Sequence, residues 1–174
     1  MFMLKLSMFE DRTSEKPPFI DVDLRASERA KLLDKTQWSA DFDWLQIETM
    51  VKYMRLKKAP KGTILFREGD AGSFMCIIIA GKVKIEKENE SAKKKFITLI
   101  GPGQIIGELS LVEEQPRSAS AAAEEDVTFL MLTREDFDRL ASELPILGGK
   151  VLSRIIKLLG ERLRRTSEIL ADFL

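Results

Sequence analysis

The alternation of hydrophobic and polar residues separates a strand-rich central segment from helical segments on either side. Between residues 62 and 133 the apolar runs are short and are divided by glycines and charged residues, a pattern typical of strands. Phe96, Thr98 and Ile100 repeat at a period of two, as half-buried antiparallel strands do. We predict six strands in this segment, at residues 63–66, 74–80, 82–88, 95–100, 117–123 and 127–132.

Turn signals divide these strands. The segment from Glu86 to Lys95 is highly charged and predicts an exposed hairpin tip. Gly101-Pro102-Gly103 predicts a turn, because no strand could continue through it. Many short strands with turns at this spacing favour an antiparallel β-roll or jelly-roll, also called a double-stranded β-helix. Because helices flank this roll, the predicted fold class is α+β.

The segment before the roll is predicted to contain an arm and two helices. Residues 1–25 include Pro17-Pro18 and lack a clear period, which favours a mobile arm or an extension packed on a partner. We predict that Ser27 caps a short helix near 28–36 and that Asp41 caps a second helix. The second helix runs through about Met54, and its apolar side contains Phe42, Leu45, Ile47, Met50, Val51 and Met54.

Helical signals return after the roll. Thr133-x-x-Asp136 resembles a capping box, and Pro145 suits the first turn of a long helix that reaches about residue 172. The apolar positions of the long helix occupy more than one face, so one stripe can pack on the roll. A second stripe is predicted to face a partner helix, and it contains Leu152, Ile155, Leu159, Thr166 and Ile169.

Composition limits the classes of protein that remain. At 174 residues, with 44% hydrophobic and 32% charged residues, the chain is typical of a soluble globular domain. Lys+Arg 28 and Asp+Glu 28 balance, so net charge favours neither DNA nor an acidic membrane as partner. The lone Cys76 excludes an intrachain disulfide and favours a reducing cytoplasm. No apolar run approaches the roughly 18 residues that span a membrane.

The absence of histidine argues against most hydrolytic enzymes. The chain contains no histidine, which removes the usual general base, a common zinc ligand and the Ser-His-Asp arrangement. Basic residues at 93–95 and at Arg162, Arg164 and Arg165 lie beside acidic residues without interleaved aromatics. We interpret them as a solvated hairpin and a solvated helix face rather than as a nucleic-acid site.

The richest chemistry lies in Gly107-Glu108-Leu109-Ser110-Leu111, followed by Pro116-Arg117-Ser118. A glycine lets the backbone approach a ligand closely, and the following N–H groups can line an anion. Glu108 can accept hydrogen bonds from a sugar diol, whereas Arg117 offers a planar fork of donors to a phosphate. Together these groups predict a site for a ribose phosphate, although a surface salt bridge is the alternative for either residue taken alone.

These residues resemble the phosphate-binding cassette of cyclic nucleotide-binding domains, and the resemblance extends over roughly residues 40–174. Upstream, residues 62–70 resemble the entry strand and turn of that family, and residues 74–83 resemble its next hairpin. Downstream, residues 162–168 resemble the end of the long helix in bacterial cyclic-AMP receptor proteins. Ordered motifs at matching separations are more specific than any one of them. We therefore divide the chain into an arm and short helix, 1–40, and a cyclic nucleotide-binding domain, 41–174, with its roll at about 60–133 and its C-terminal helices at about 134–172.

The resemblance implies a role for each candidate residue. Glu108 would hold the ribose 2′-OH and Arg117 would neutralise the cyclic phosphate. The remaining candidates fall into two groups. Backbone N–H groups of Gly107, Leu109, Ser110 and Ser118 would complete the phosphate cradle. Thr166 and Ser167 would lie at the adenine edge, with neutral helix-surface positions as the alternative, and Ile85 and Ile97 would contact the base, with plain core positions as the alternative.

The first hypothesis is therefore a cyclic nucleotide sensor rather than an enzyme, in which ligand binding rearranges the C-terminal helix. The expected ligand is cyclic AMP, with cyclic GMP as the alternative, and no other cofactor or metal is expected. We expect a cytoplasmic homodimer, joined through that helix, with an unknown downstream protein partner and no membrane or direct nucleic-acid partner. Two alternatives are a dimerisation scaffold that binds no nucleotide, and the effector half of a transcription regulator cut before its DNA-binding domain.

Overall fold

The computed structural model describes residues 19–88 and 93–172, which form two antiparallel sheets and a helical layer. Residues 1–18 of the predicted arm, and residues 89–92 at the centre of the predicted hairpin tip, lie outside the described residues. The strands are β1 (Ile20–Asp21), β2 (Arg55–Ala59), β3 (Ile64–Phe66), β4 (Phe74–Ala80), β5 (Val83–Glu88), β6 (Lys94–Ile100), β7 (Ile105–Ile106), β8 (Ser120–Ala123) and β9 (Val127–Thr133). The α-helices are α1 (Ala26–Asp34), α2 (Trp44–Met50), α3 (Arg134–Glu143) and α4 (Pro145–Ala171).

The first sheet has the strand order β1-β2-β9-β4-β7 and the second has the order β3-β8-β5-β6. Every strand pairing within them is antiparallel. The α+β class and the β-roll predicted from the sequence are confirmed. Among the described residues, none of the helices combines the length and apolarity needed to cross a membrane.

Two hydrophobic clusters share the strands β4 and β9. Leu130 and Leu132 of β9 belong to the cluster that lies under the helices, whereas Phe129 belongs to the cluster between the two sheets. In β4, Ile77 lies in the first cluster and Cys76 in the second. A strand that is buried on both faces needs a nearly continuous apolar run, which explains why these two were recognised in the sequence. Burial also raises the pKa of the Cys76 thiol.

Three short strands were not predicted. In β2, Leu56 and Ala59 are the only fully buried residues, and in β1 both residues are exposed. A pattern this short carries too little periodicity to be recognised. The strand predicted at 117–123 begins only at Ser120, because the backbone of Arg117 bonds to the turn before β4: its N–H donates to Asp70 O at 2.8 Å.

The N-terminal helices form, but both predicted caps were wrong. The α1 helix begins at Ala26 rather than after Ser27, and Arg25 N–H donates to the Glu28 carboxylate at 2.8 Å. The α2 helix is capped by Asp43, whose Oδ1 accepts from Gln46 N–H at 2.9 Å. It ends at Met50 and continues as a 3₁₀ turn, Val51–Tyr53.

Residues 19–24 pack on the domain itself. Ile20 and Asp21 pair with Lys58 and Lys57 of β2, so this part of the chain is neither a mobile arm nor an extension onto a partner. Val22 N–H then donates to Leu56 O at 3.0 Å.

The C-terminal helices begin where the sequence predicted. Thr133 Oγ1 accepts from Asp136 N–H at 3.0 Å, and Pro145 is the first residue of α4. Buried Arg154 anchors α4 by donating to the carbonyls of Trp38 (3.1 Å) and Gln37. Asp41, predicted to cap α2, instead accepts from Lys157 at 3.0 Å, and this bond is the main reason why its pKa is lowered.

The predicted partner-facing stripe of α4 was wrong in its first half. Ile155 is fully buried in the cluster under the helices, and Leu152 and Leu159 pack partly buried against the same cluster. From Ile156 onward, the apolar positions that α4 leaves exposed are Ile156, Leu163, Ile169 and Leu170. Of the original stripe, Thr166 and Ile169 remain exposed.

Candidate functional site

A glycine turn starts the site. Gly107 follows β7 with φ 72° and ψ 13°, a left-handed conformation that side chains rarely adopt, and Glu108–Leu111 then forms a 3₁₀ turn. A Cβ atom at Gly107 would lie 2.5 Å from Arg117 Nη1 and 2.9 Å from Phe74 O. Both the backbone angle and the space therefore require glycine at this position.

The side chain of Arg117 points into the protein and is only 6% exposed. Its Nη1 donates to Gly107 O (3.1 Å) and Ser110 Oγ (2.6 Å), and its Nη2 donates to Phe74 O (2.8 Å). Burial lowers the pKa of Arg117, but a guanidinium stays protonated at any physiological pH. Arg117 is therefore a buried positive charge held by carbonyl and hydroxyl oxygens.

Two aromatic rings and an unsatisfied nitrogen complete the surroundings of this cation. The guanidinium carbon of Arg117 lies 4.1 Å from the ring centre of Phe66 and 4.7 Å from that of Phe74. Its Nε is buried and has no hydrogen-bond partner in the described structure. Throughout residues 19–88 and 93–172, none of the described ion pairs involves Arg117. The arrangement can accept an anion.

Gly72 gives Ser110 the space to reach Arg117. A Cβ at Gly72 would lie 2.0 Å from Ser110 Oγ and 3.5 Å from Arg117 Nε. Glycines at 72 and 107 thus flank the guanidinium on two sides, where any other residue would fill the cradle.

Glu108 is the buried acidic group of the site. It is 5% exposed, and its Oε1 accepts from Arg162 Nη1 at 2.5 Å. Arg162 also donates through Nη2 to Ile105 O. The interpretation of Arg162 as part of a solvated helix face was therefore wrong, because this residue connects α4 to the cassette.

The remaining cassette residues differ in exposure. Ser110 is buried, and its N–H already donates to Gly107 O at 3.2 Å within the 3₁₀ turn. Leu109 is half-buried, whereas Ser118 is exposed directly after Arg117.

The predicted base-contacting residues lie on three elements. Thr166 and Ser167 are exposed on α4, and their hydroxyls donate to the carbonyls four residues earlier, at 2.9 and 3.0 Å. Ile85 is half-buried on β5 and packs against the cluster between the sheets. Ile97 is 55% exposed on β6, so it is not the plain core residue that was the alternative.

Sequence reasoning missed Phe66, Phe74, Gly72 and Arg162 as members of the site. The two phenylalanines lie inside the motifs that carry the resemblance, and Arg162 lies in the helix motif, but nothing in their spacing shows that they contact Arg117 or Glu108. Clusters of three or more metal-ligating side chains do not occur within residues 19–88 and 93–172.

Comparison with known proteins identifies one family. The model of the cyclic nucleotide-binding domain family matches residues 56–143. The chain is 34% identical over 119 residues to the cyclic AMP receptor protein of Thermus thermophilus, covering 68% of this chain and 53% of that protein. It is 30% identical over 128 residues to a CRP-like cAMP-activated global transcriptional regulator of Mycobacterium tuberculosis, covering 74% of this chain and 55% of that protein. The chain thus spans about half the length of these curated relatives.

Solved structures agree with the fold. A cyclic nucleotide-binding domain from Methylobacillus flagellatus superposes with a TM-score of 0.79 at 29% identity, covering 90% of this chain and 89% of that chain. The catabolite activator protein of Thermus thermophilus superposes with a TM-score of 0.68 at 32% identity, covering 77% of this chain and 61% of that chain.

Two glycine substitutions should change stability in opposite directions. Gly107→Ala places a Cβ against Arg117 and Phe74 at a left-handed φ, and we expect it to lower the free energy of unfolding by about 1–3 kcal/mol. Gly149→Ala lies in α4 with open space around its Cβ, and it should raise that free energy by up to about 1 kcal/mol. Urea unfolding of both variants measures the difference, and equal effects would contradict the packing described at Gly107.

Proposed function

The chain belongs to the cyclic nucleotide-binding domain family, and we propose that it is a sensor that binds a cyclic mononucleotide, with cyclic AMP preferred over cyclic GMP. The observation that carries this proposal is the buried guanidinium of Arg117, which has an unsatisfied Nε and no carboxylate in an ion pair with it among the described residues. A buried cation costs several kcal/mol unless an opposite charge compensates it. Carbonyl oxygens and aromatic faces lower that cost, but they leave the net charge in place.

A cyclic phosphate supplies the missing negative charge. It carries one charge at neutral pH and presents acceptor oxygens, which suit Arg117 Nε and nearby backbone N–H groups. We assign the N–H groups of Gly107, Leu109 and Ser118 to this cradle. That of Ser110 would have to leave its bond to Gly107 O first.

Glu108 is proposed to recognise the sugar. An ionised carboxylate accepts hydrogen bonds only, so it suits a ribose hydroxyl as partner. The 2′-OH would share Glu108 with Arg162, which already donates to Oε1. Recognition of the hydroxyl and the phosphate by residues of one short turn is what a single ribose 3′,5′-phosphate requires.

We propose a base site between the second sheet and α4. Ile97 offers an exposed apolar face and Ile85 a half-buried one on the adjacent strand. The hydroxyls of Thr166 and Ser167 lie within about one turn of Arg162 and retain acceptor lone pairs that suit the exocyclic amine of adenine. A hydroxyl can also donate to the carbonyl of guanine, so the preference for cyclic AMP is expected to be modest.

The link between Arg162 and Glu108 supports coupling between the ligand and α4. The first half of α4 is anchored by Arg154, whereas Arg162 ties its second half to Glu108 and to Ile105 O. A ribose hydroxyl that binds Glu108 changes the free energy of this contact. A ligand shifts a conformational equilibrium only through such a difference between states, so α4 is the element that we expect to respond.

The exposed second half of α4 supports a homodimer. Ile156, Leu163 and Leu170 are exposed and repeat every seven residues, and the exposed Thr166 lies three residues after Leu163, at an intermediate position of the same heptad pattern. This spacing is that of a two-helix seam. We propose that two copies of α4 pack along this seam and that a downstream protein recognises the resulting arrangement of the dimer.

We further propose that the chain binds its ligand without catalysing a reaction, since a chain without histidine offers no Ser-His or Cys-His nucleophile.

Loss of Arg117 should abolish most of the ligand affinity. We expect Arg117→Ala to raise the Kd for cyclic AMP at least ~100-fold, because the phosphate loses a charge-assisted donor in a buried site. Arg117→Lys keeps the charge without the fork and should fall between that variant and the wild type. Isothermal titration calorimetry measures these values, with the exposed Arg67→Ala as the control that keeps normal affinity.

Equal affinity of the wild type and Arg117→Ala would contradict the site. If the folded wild type shows no thermal shift with cyclic AMP or cyclic GMP, the scaffold alternative is favoured instead. A ligand present at 100 times its Kd adds about 2.7 kcal/mol of stability, which corresponds to several degrees for a domain of this size.

Hydrogen exchange should report the response of α4. Saturating cyclic AMP is expected to change the exchange of amides in the second half of α4, because the Arg162 contact is altered at Glu108. Arg162→Ala should weaken this change, whereas Arg164→Ala, on the exposed surface of the same helix, should preserve it. Mass spectrometry of peptides from 156–171 measures the effect, and unchanged exchange in the wild type would contradict the coupling.

Light scattering and ligand preference together test the seam. We expect a homodimer at micromolar concentration, and Leu163→Glu should dissociate it, whereas Ile146→Glu at an exposed position outside the heptad should not.

Thr166→Val should reduce the preference for cyclic AMP over cyclic GMP, which we expect to be about 1–3 kcal/mol, without affecting phosphate recognition. A monomeric wild type, together with an unchanged preference in Thr166→Val, would give this helix another role.

A further inference from the structure

Residues 19–24, here called the N-terminal strap, are fixed to the β2 edge of the first sheet, the edge opposite β7. Ile20 and Asp21 pair with β2, and Lys57 Nζ lies 2.6 Å from Asp21 Oδ1. Ile20 is 55% exposed, so the pairing leaves its side chain in solvent. The inward anchor of the strap is instead the ring of Phe19, which packs against the cluster between the sheets.

The ring of Phe19 meets two other rings edge to face. Its centre lies 5.2 Å from that of Phe129 at an interplanar angle of 84°, and 6.0 Å from that of Phe74 at 85°. Phe66 meets Phe74 from another direction, with centres 6.1 Å apart at 69°. Edge-to-face pairs at these distances contribute beyond the apolar area that they bury, and they fix the relative tilt of the rings.

Phe74 in turn contacts Arg117 in two ways. Its ring lies under the guanidinium, with 4.7 Å between the ring centre and the guanidinium carbon, and its carbonyl accepts from Nη2 at 2.8 Å. The orientation of the Phe74 ring therefore bears directly on the position of the cation. Phe74 is therefore the one residue that lies between Phe19 of the strap and the guanidinium of Arg117.

We infer that Phe19 is a positioning residue for the anion-binding cation: by packing behind Phe74, the N-terminal strap holds Arg117 in the arrangement that receives a phosphate. This inference rests on the proposed function and extends it to a part of the chain outside the cassette and α4. Without the Phe19 ring, a void opens beside Phe74, which can then tilt away from the guanidinium. A less ordered Arg117 binds a phosphate with lower affinity, because binding must then supply the ordering.

Reciprocity gives the strap a role in signalling. If the seated strap improves phosphate binding by some factor, a bound phosphate stabilises the seated strap by the same factor. Ligand binding should therefore protect the strap, and in particular the Val22 N–H that donates to Leu56 O. The strap would thus transmit ligand binding to residues 19–24, in addition to the transmission through α4 that is proposed above.

The first measurement is the Kd for cyclic AMP of Phe19→Ala, which we expect to rise about 3- to 30-fold. Two controls should keep the wild-type Kd. Ile20→Ala alters the exposed neighbour in the strap, and Val83→Ala removes volume from the same cluster between the sheets without belonging to the aromatic contacts. A Kd that rises equally in Val83→Ala would show that Phe19 serves stability only and would overturn the inference.

The second measurement is a double-mutant cycle on affinity with Phe19→Ala and Arg117→Lys. If Phe19 acts through Arg117, Phe19→Ala should cost much less in the Arg117→Lys background than in the wild type, whereas additive effects would overturn the inference. Protection of Val22 N–H by saturating cyclic AMP in the wild type provides an independent readout, and its absence also counts against the inference.

The proposed function can fail separately. If the wild type binds neither cyclic AMP nor cyclic GMP, that proposal is wrong, and the same cycle is then measured on the free energy of unfolding. If the effects of the two substitutions on the free energy of unfolding are not additive, the inference that Phe19 positions Arg117 stands. Additive effects would overturn that inference.

Discussion

The buried charge of Arg117 is the constraint on which the arrangement of the site depends. A guanidinium that is 6% exposed must be surrounded by acceptors, and two separate segments supply them: the turn after β7 provides the Gly107 carbonyl and the Ser110 hydroxyl, and the start of β4 provides the Phe74 carbonyl. Glycines at 72 and 107 are needed for these groups to approach it. The turn after β7, the start of β4 and the segment before β8 are thus held together around one cation, and the space that the two glycines leave beside it is the candidate anion cradle.

A second arginine connects this cradle to the helices. Arg162 binds Glu108, eight residues after Arg154 binds the carbonyls of Gln37 and Trp38. One arginine fixes the helix to the N-terminal layer and the other fixes it to the ligand site. Beyond Arg162, the apolar residues Leu163, Ile169 and Leu170 are exposed, so this end of α4 is held to the domain by the contacts of Arg162 rather than by apolar burial.

The sequence predicted the roll and the start of α3 and α4, and it singled out Gly107, Glu108 and Arg117, which the structure brings together, because each has a strong local signal. Apolar runs in β4 and β9, Thr133 and Pro145 at helix starts, and Gly107 with Glu108 are of this kind. Local signals failed where a distant partner decides the outcome. Asp41 accepts a hydrogen bond from Lys157, and Asp43 caps α2 in its place. Ile155 is buried in the core of its own domain rather than against a second copy of α4. Arg162 binds Glu108, which lies 54 positions earlier in the sequence. Phe19 and Phe74 meet for the same reason, and no periodicity could have paired them.

The sharing of β4 and β9 between two clusters restricts how this chain can change in length. Neighbouring residues such as Cys76 and Ile77, or Phe129 and Leu130, point into different clusters. A one-residue insertion or deletion in either strand would exchange the faces of its residues all along it; in β9 it would move Phe129 away from the ring of Phe19 and put a leucine in its place. Related sequences should therefore vary in residue type within β4 and β9 far more readily than in the number of residues, and length variation should be confined to the turns.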